Sequence, residues 1–492
     1  MKKNSSRLSN TQKSIRGMSS QTLVTLLTGV VDVSSFAILS RLLSKDDFGH
    51  YAVILAVTTV FYSLAEAGIG SAVVQKKDLD RSYVNSAFTL SLIFGGVMSI
   101  CLFIGAKTIS GIIGDLEVAI PLMIMSVTLL INSVTSVNLS LMQRNLSFLK
   151  IGVVTLTALI VTSIVAIVLA YLGFGFYAIV TRAVLSSILT LILSFIFVHP
   201  NYRISLAKDK FKEIFHFSGW LTASVIIRNL SQQIDRLMMT SFTTTEVLGA
   251  YNRPKEFVTQ ISTKLNNIFD TALFPVLSSI QDSPQSLINA FKKSFFYLNL
   301  LGMIVLLALL VNSELIIRIF FGEDWLNLNT VFMILSSYFL LNVNGRLCDC
   351  YLRSLALTKQ QYYFRIFQLV ITVLGIWLVA RLGIIAIAIM VIVANFIVVM
   401  AKVIYICGKI QYGIKDALLE QIKSWSFLFI LLPECVAFKL LWADSIVGNI
   451  LTLILFSISL AILFLRFPKL IGKEYAEVAY PAVMKKMKRI RK

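Results

Sequence analysis

Charged side chains are scarce in this sequence. Asp, Glu, Lys and Arg make up 14% of its 492 residues, while 57% are hydrophobic. A soluble chain is nearer a quarter charged and half apolar. That shortage, with a mean hydropathy of +0.82, excludes an ordinary soluble globular protein. Cysteine and histidine are few as well. Cys101, Cys348, Cys350, Cys407 and Cys435 all fall in apolar runs. Cys348 and Cys350 are two apart and point away from each other on a helix. They read as small buried hydrophobes, which excludes a disulfide framework and a thiolate metal site. His50, His199 and His216 lie near the ends of expected spans, and no His/Glu metal spacing occurs. Neither a metal nor another cofactor is therefore expected. Enzyme signatures are missing too: there is no P-loop, no H-E-x-x-H and no G-x-S-x-G. The stretch GFGFYA (173–178) matches G-x-G-x-x-A. It opens a membrane span and follows no strand, so the match is chance. The chain is expected not to be an enzyme. Without a nucleotide site, uphill transport would draw on a proton or sodium gradient, on the membrane potential or on the substrate's own gradient.

What the sequence does contain is long apolar runs of about 20 residues, the length that crosses a hydrocarbon core. A β-barrel would show short alternating segments instead. The pattern gives an all-α polytopic membrane protein of about 14 transmembrane helices. The spans are placed at 20–43, 50–74, 84–106, 118–142, 151–172, 176–198, 216–241, 250–276, 294–313, 328–352, 363–380, 384–407, 425–442 and 446–465. The eighth is the weakest, because it contains Lys255, Glu256, Lys264, Asn266, Asn267 and Asp270. Loops as large as a soluble domain do not occur, so the function lives in or beside the membrane.

Positive charge supplies the orientation. With the N-terminus in the cytoplasm, the inside segments hold 32 of the 45 Lys and Arg residues. The outside segments hold five: Lys45, Lys107, Arg318, Arg381 and Lys439. That split predicts N-in and C-in with an even number of spans. The basic tail KKMKRIRK (485–492) fits the anionic lipid of an inner leaflet better than nucleic acid, which is not an expected partner. The apolar stretch after the polar N-terminus is too long for a signal-peptide core and shows no clear small-residue cleavage site, so it is expected to be retained.

A faint internal repeat runs through the chain. LLSKDDFGHYAV after the first span resembles SFTTTEVLGAYNR after the seventh, with Gly49 and Gly249 offset by 200. YLGFGFYAIV (171–180) resembles RLGIIAIAIM (381–390), and LMQRNLSFLK (141–150) resembles YLRSLALTKQ (351–360), both offset by 210. Two six-helix lobes of parallel repeat around a central cavity, followed by two C-terminal helices, account for these offsets. Repeated halves around a central site are a transporter signature. The expected units are a cytoplasmic N-tail (1–19), an N-lobe (20–198), an inter-lobe linker (199–215), a C-lobe (216–407), an extension of two spans (408–465) and a basic cytoplasmic C-tail (466–492).

Charge inside a span is costly and faces a cavity or a partner. In the seventh span, Ser224, Arg228, Gln232, Asp235 and Arg236 fall on one helix face, opposite Leu230, Ile234 and Leu237. That face cannot contact lipid. Arg182, Lys264 and Arg346 join Arg228 and Arg236 as candidate cavity cations, drawn from both halves. Arg41, Arg253 and Lys255 stand close to interfaces, where long side chains can snorkel. Among the carboxylates, Asp32, Glu66, Asp235 and Asp270 are candidates for coupling or for structural pairing. Asp235 has Arg228 and Arg236 as expected partners, and Asp349 has Arg346 at i,i+3. Asp32 and Asp270 each stand isolated in mid-span, where a buried carboxylate can take up a proton or a cation. The other reading is a satisfied polar contact with Ser34, Ser35 or Thr271. A cation-lined cavity would suit a phosphate-bearing substrate, since Arg stays protonated and contacts phosphate bidentately.

An ordered set of stretches carries a family resemblance: ILSRLLSKDDFGHYAV (38–53), EAGIGSAVVQKKDL (66–79), MQRNLSFLKIGVV (142–154), FHFSGWLTAS (215–224), QIDRLMMTSFTTTEVLGAYNRPKEF (233–257), LFPVLSSIQDSPQSL (273–287) and IFFGEDW (319–325). Together they resemble the bacterial polysaccharide flippases. These are the Wzx-type lipid-linked oligosaccharide translocases of the multidrug/oligosaccharidyl-lipid/polysaccharide exporter superfamily, with the colanic- and teichuronic-acid branch closest in length. The resemblance implies a two-lobed bundle with a central cationic cavity in the bacterial inner membrane. There it would move an undecaprenyl-pyrophosphate-linked repeat unit by alternating access for O-antigen, capsule or exopolysaccharide synthesis. It also implies membrane lipids as partners, with a polysaccharide polymerase and a chain-length regulator as candidate protein partners. By position, Arg182, Arg228, Arg236 and Arg346 are its candidate pyrophosphate ligands. The sequence departs from the family's frequent Asp-x-Gly at Glu66-Ala67-Gly68. Two other readings stay open. A cation-coupled multidrug or metabolite antiporter of the same superfamily would have fewer cavity cations and a stronger lone acid. A membrane glycan polymerase or ligase would display a large catalytic outer loop.

Overall fold

A computed structural model describes residues 10–422 apart from a few positions, with scattered residues between 433 and 462. Every regular element among them is helical. The first run comprises α1 (Asn10–Leu42), α2 (Lys45–Glu66), α3 (Ile69–Gln75), α4 (Arg81–Ile113), α5 (Ala119–Arg144), α6 (Phe148–Tyr171) and α7 (Tyr177–Val198). The second comprises α8 (Lys208–Thr240), α9 (Thr245–Ser279), α10 (Pro284–Val311), α11 (Ser313–Phe320), α12 (Asn329–Ser336), α13 (Tyr338–Ser354), α14 (Thr358–Val379) and α15 (Ile384–Lys409). Among the described residues, nine helical stretches are long and apolar enough to cross a membrane. The chain is an all-α polytopic membrane protein. The expected spans 425–442 and 446–465 and the basic tail lie largely or wholly outside the described residues.

Two expected spans are interrupted. The second breaks at Gly68, whose φ of 63° is left-handed, so α2 stops at Glu66 and α3 sets off in a new direction. In the tenth, a 3-10 segment (Glu323–Leu328) leads into α12, which gives way to α13 at Ser337. Helices α8 and α9 run to 33 and 35 residues. Neither is among the nine apolar stretches, because each carries a polar face turned toward other helices.

Local chemistry sets the boundaries. Ser44 and Asp47 form a capping box at the start of α2: the Ser44 N–H donates to Asp47 Oδ2 at 2.9 Å, and the Asp47 N–H donates to Ser44 Oγ at 3.1 Å. Thr244 caps α9 in the same way, accepting from the Val247 N–H. Asp80 caps α4 by accepting from the Tyr83 N–H at 2.8 Å, which holds its carboxyl below the ordinary range. Element boundaries recur at the offsets of the repeat. Helices α2 and α9 start 200 residues apart, and the α5–α6 and α13–α14 turns lie 210 apart. Gly173 and Gly383, also 210 apart, both have positive φ.

Packing joins the two runs. Helix α2 lies against α9 and α8, α1 lies against α6, and α5 is wedged between α4 and α7. At the end of the bundle where α2 and α9 begin, their backbones nearly touch. A Cβ on Gly49 would fall 1.9 Å from the Thr245 carbonyl oxygen, and one on Gly249 would fall 1.8 Å from that of Lys45. The contact is nearly symmetric, each glycine meeting the residue four before the other. An aromatic cluster seals the same end: Phe36, Phe257, Phe321, Trp325 and Phe332 are all buried. Elsewhere large apolar side chains such as Ile104, Ile112, Tyr171 and Leu378 are more than two-thirds exposed, as a lipid-facing surface requires.

Candidate functional site

The polar faces of α8 and α9 enclose chambers rather than simply pairing with each other. Helix α9 is the partition. Arg253, Glu256 and Gln260 point into one chamber, which α1, α2, α6 and α7 complete. Lys255, Thr259, Thr263 and Asn266 point into another, completed by α8, α13, α14 and α15. A third chamber lies between α2, α5 and α7. Their volumes are about 240, 360 and 430 Å³ respectively.

The second chamber is strongly cationic. Arg228 and Arg236 enter it from α8, Lys255 from α9, Arg346 from α13, Arg365 from α14 and Lys402 from α15. Two carboxylates answer these six. Asp349 lies 2.7 Å from Lys402 Nζ and pairs closely with Arg365. Asp235 pairs with Lys255 and accepts from the Tyr251 hydroxyl at 2.6 Å. Both carboxylates are 2% exposed. Arg346 acts on Asp349 as well, and Arg228 on Asp349 and Glu66. Arg236 is itself 8% exposed; its Nη1 donates to Gln233 Oε1, while its buried Nε has no hydrogen-bond partner. A buried guanidinium with an idle donor is costly unless something else occupies it. Amides line the remaining wall: Arg365 holds Gln368, which donates to Asn395 at 2.9 Å, and Asn266 donates to Asn342 at 3.1 Å.

Several expected pairings are corrected here. Asp235 pairs with Lys255 of the next helix and not with Arg228 or Arg236, because α8 and α9 are joined by a short turn that brings Lys255 alongside it. Asp349 finds two partners across the bundle that its sequence neighbours do not reveal, Arg365 and Lys402, while Arg346 at i,i+3 also acts on its charge. Asp32 is not isolated: Lys264 Nζ reaches it at 3.0 Å and Arg182 at 3.8 Å. Those two expected cavity cations therefore neutralise a carboxylate of the first chamber. Lys255 and Arg253 do not snorkel. Lys255 is buried, and Arg253 donates to the Phe36 carbonyl and to Ser40 while stacking on Phe36 and Phe48. Arg365 and Lys402, counted among the cytoplasmic segments in the sequence, belong to the buried cluster. The signal for them was their spacing. Arg365 with Gln368, and Asn395 with Lys402, each share a helix face. Glu66 lines the third chamber, where it feels the charge of Arg228 from the neighbouring one. The Asp270 side chain lies outside the described residues.

With this geometry in place, similarity to known proteins is informative. Residues 38–330 match the family described as polysaccharide biosynthesis protein. The chain belongs to that family. A lipopolysaccharide biosynthesis protein of Escherichia coli, WzxC, is 24% identical over 361 residues, covering 73% of each chain. The teichuronic acid biosynthesis protein TuaB of Bacillus subtilis is 20% identical over 355 residues, covering 68% of this chain and 71% of that one. In fold, the chain is similar to the lipid II flippase MurJ in an inward closed conformation, with a TM-score of 0.67 and 15% identity over 91% of this chain and 98% of that one. It is also similar to an inward-facing multidrug transporter, with a TM-score of 0.66 and 14% identity over 79% and 98%. At these identities the structural likeness concerns the fold.

Proposed function

We propose that this protein is a flippase that carries an undecaprenyl-pyrophosphate-linked oligosaccharide repeat unit across the bacterial inner membrane for surface polysaccharide synthesis. It moves its substrate and does not transform it. The observation that carries this reading is the excess of positive charge in the chamber between α8, α9 and α13, with the idle Nε of Arg236 at its wall. Arg228 and Arg236 offer the forked donors that suit a pyrophosphate, Arg346 stands beside them, and Asp349 and Asp235 keep Arg365, Lys402 and Lys255 in place. The distribution of basic segments favours N-in and C-in. In that orientation the Gly49–Gly249 contact closes the outer end and the cationic chamber lies toward the inner leaflet. Alternating access then requires that contact to part. Membrane lipids, and a polymerase and chain-length regulator acting on the product, are the partners this role calls for.

The antiporter reading, which the multidrug-transporter fold keeps in view, needs a lone carboxylate to exchange a cation. Asp32 is already held by Lys264 and Arg182. Deleting the gene tests the proposal. Polyprenyl-pyrophosphate oligosaccharides should accumulate, visible by mass spectrometry, and surface glycan should vanish. The wild-type gene should restore export and an Arg236→Ala version should not. Unchanged lipid intermediates in the deletion strain would refute it.

A further inference from the structure

We propose that the chamber between α2, α5 and α7 is a glycan subsite, which holds the sugars of the substrate while the cationic chamber holds its pyrophosphate. This rests on the flippase reading and adds to it a division of labour between the two halves of the bundle.

The chemistry of the third chamber is the reverse of its neighbour's. At about 430 Å³ it lies within the usual range of small-ligand sites, and no cation lines it. Its wall is built from hydroxyls, amides and one carboxylate: Glu66 from the end of α2, Asn132, Thr135 and Gln143 from α5, and Thr190 from α7, with the Tyr62 ring at the side. Thr135 spends its hydroxyl on the Ile131 carbonyl of its own helix. Asn132, Gln143 and Thr190 have no side-chain partner among the described residues, and Glu66 has only the charge of Arg228 nearby. Together they offer two amides, each both donor and acceptor, one carboxylate that accepts and one hydroxyl that does either. A phosphate would be repelled by Glu66 and find no cation in the wall. An apolar tail would leave every one of these groups unsatisfied. A polyhydroxylated, uncharged ligand meets the whole set, and a ring such as Tyr62 presents an apolar body with a polar tip beside it.

Position supports the pairing. Asn229 of α8 donates to Ser63 of α2 at 2.6 Å, so the two chambers share the α2–α8 seam. Tyr62 and Arg228 are the chain neighbours of these two residues, and each lines the chamber on its own side. A ligand lying across the seam would place adjoining phosphate and sugar groups in chambers of matching chemistry.

The test uses the full-length protein in detergent and two probes. One is bare undecaprenyl pyrophosphate; the other is the lipid-linked oligosaccharide extracted from the deletion strain. Wild-type protein should bind the sugar-bearing lipid roughly tenfold more tightly than the bare one, because buried polar groups are satisfied only by the sugars. Asn132→Leu should remove most of that advantage and leave the affinity for bare undecaprenyl pyrophosphate unchanged, which also shows that the variant is folded. Thr190→Val, which keeps the side-chain shape, should act in the same direction and carries the test if Asn132→Leu does not fold. Loss of affinity for both probes equally, or for neither, in a folded variant would overturn the glycan subsite. So would a wild-type protein that does not distinguish the probes, and in that case the flippase reading would survive. A wild-type protein that binds neither probe would sink the flippase reading itself.

Discussion

Asp235 shows what an intramembrane carboxylate does in this chain. It is buried between Lys255 and Tyr251, which share its Oδ2. Its role is to fix the wall from which Arg236 reaches into the chamber. Asp235→Asn should leave Lys255 as an unpaired buried charge and cost about 3–5 kcal/mol of stability. Lys255→Met should cost a similar amount, and the double variant should recover part of it. Thermal unfolding in detergent reads all three, and strictly additive losses would contradict the pairing. Arg236→Lys should retain some export where Arg236→Ala retains none, because Lys keeps the charge but loses the fork; equal surface glycan in both would show that geometry is irrelevant there. Residue by residue, the sequence revealed half of this site. Arg228, Arg236 and Arg346 stood out because they interrupt apolar runs. Arg365 and Lys402 did not, because each lies near the end of a span, where a cation is ordinary. The partners of Asp32 and Asp235 were misjudged, and two of Asp349's were missed, for one reason: sequence neighbours are visible in a sequence, and tertiary neighbours such as Lys264, 232 residues from Asp32, are not.

At the scale of elements, the α2–α9 crossing is the feature on which transport should turn. Backbones can approach this closely only without side chains, as at other small-residue helix contacts in membranes. Gly249→Ala would push a methyl group against the Lys45 carbonyl. It should part the helix starts and raise the labelling of a Thr245→Cys reporter by a membrane-impermeant maleimide, in a background freed of the native cysteines. Gly408→Ala, where a Cβ meets open space, serves as the control and should change nothing. Unaltered labelling in Gly249→Ala would show that this contact does not hold that end shut. The equivalence of Gly49 and Gly249 was legible as a faint repeat. That the two copies pack on each other was not, since a repeat says nothing about where its copies meet. The interruptions at Gly68 and Ser337 escaped as well, because a hydropathy window averages over one turn of helix.

At the scale of the whole molecule, composition alone led to an all-helical membrane protein, and residue patterns led to a flippase family. The physical reason is that a bilayer leaves few choices: satisfied backbone, apolar exterior, and polar residues only where they face one another or a cavity. Three chambers of different chemistry inside one bundle lay beyond that reading, because they depend on which polar faces turn toward which. The central claim is movement of a lipid-linked oligosaccharide through the cationic chamber, and it is tested most directly in proteoliposomes. The purified protein would be reconstituted with the lipid-linked oligosaccharide from the deletion strain, and appearance of its sugars on the opposite leaflet followed with a membrane-impermeant glycan-modifying enzyme, with and without an imposed ion gradient. Wild-type protein should move the lipid well above the protein-free rate in at least one of these conditions, and Arg236→Ala protein should not. Translocation by Arg236→Ala at the wild-type rate, or by wild-type protein no faster than empty liposomes under every gradient, would contradict the account.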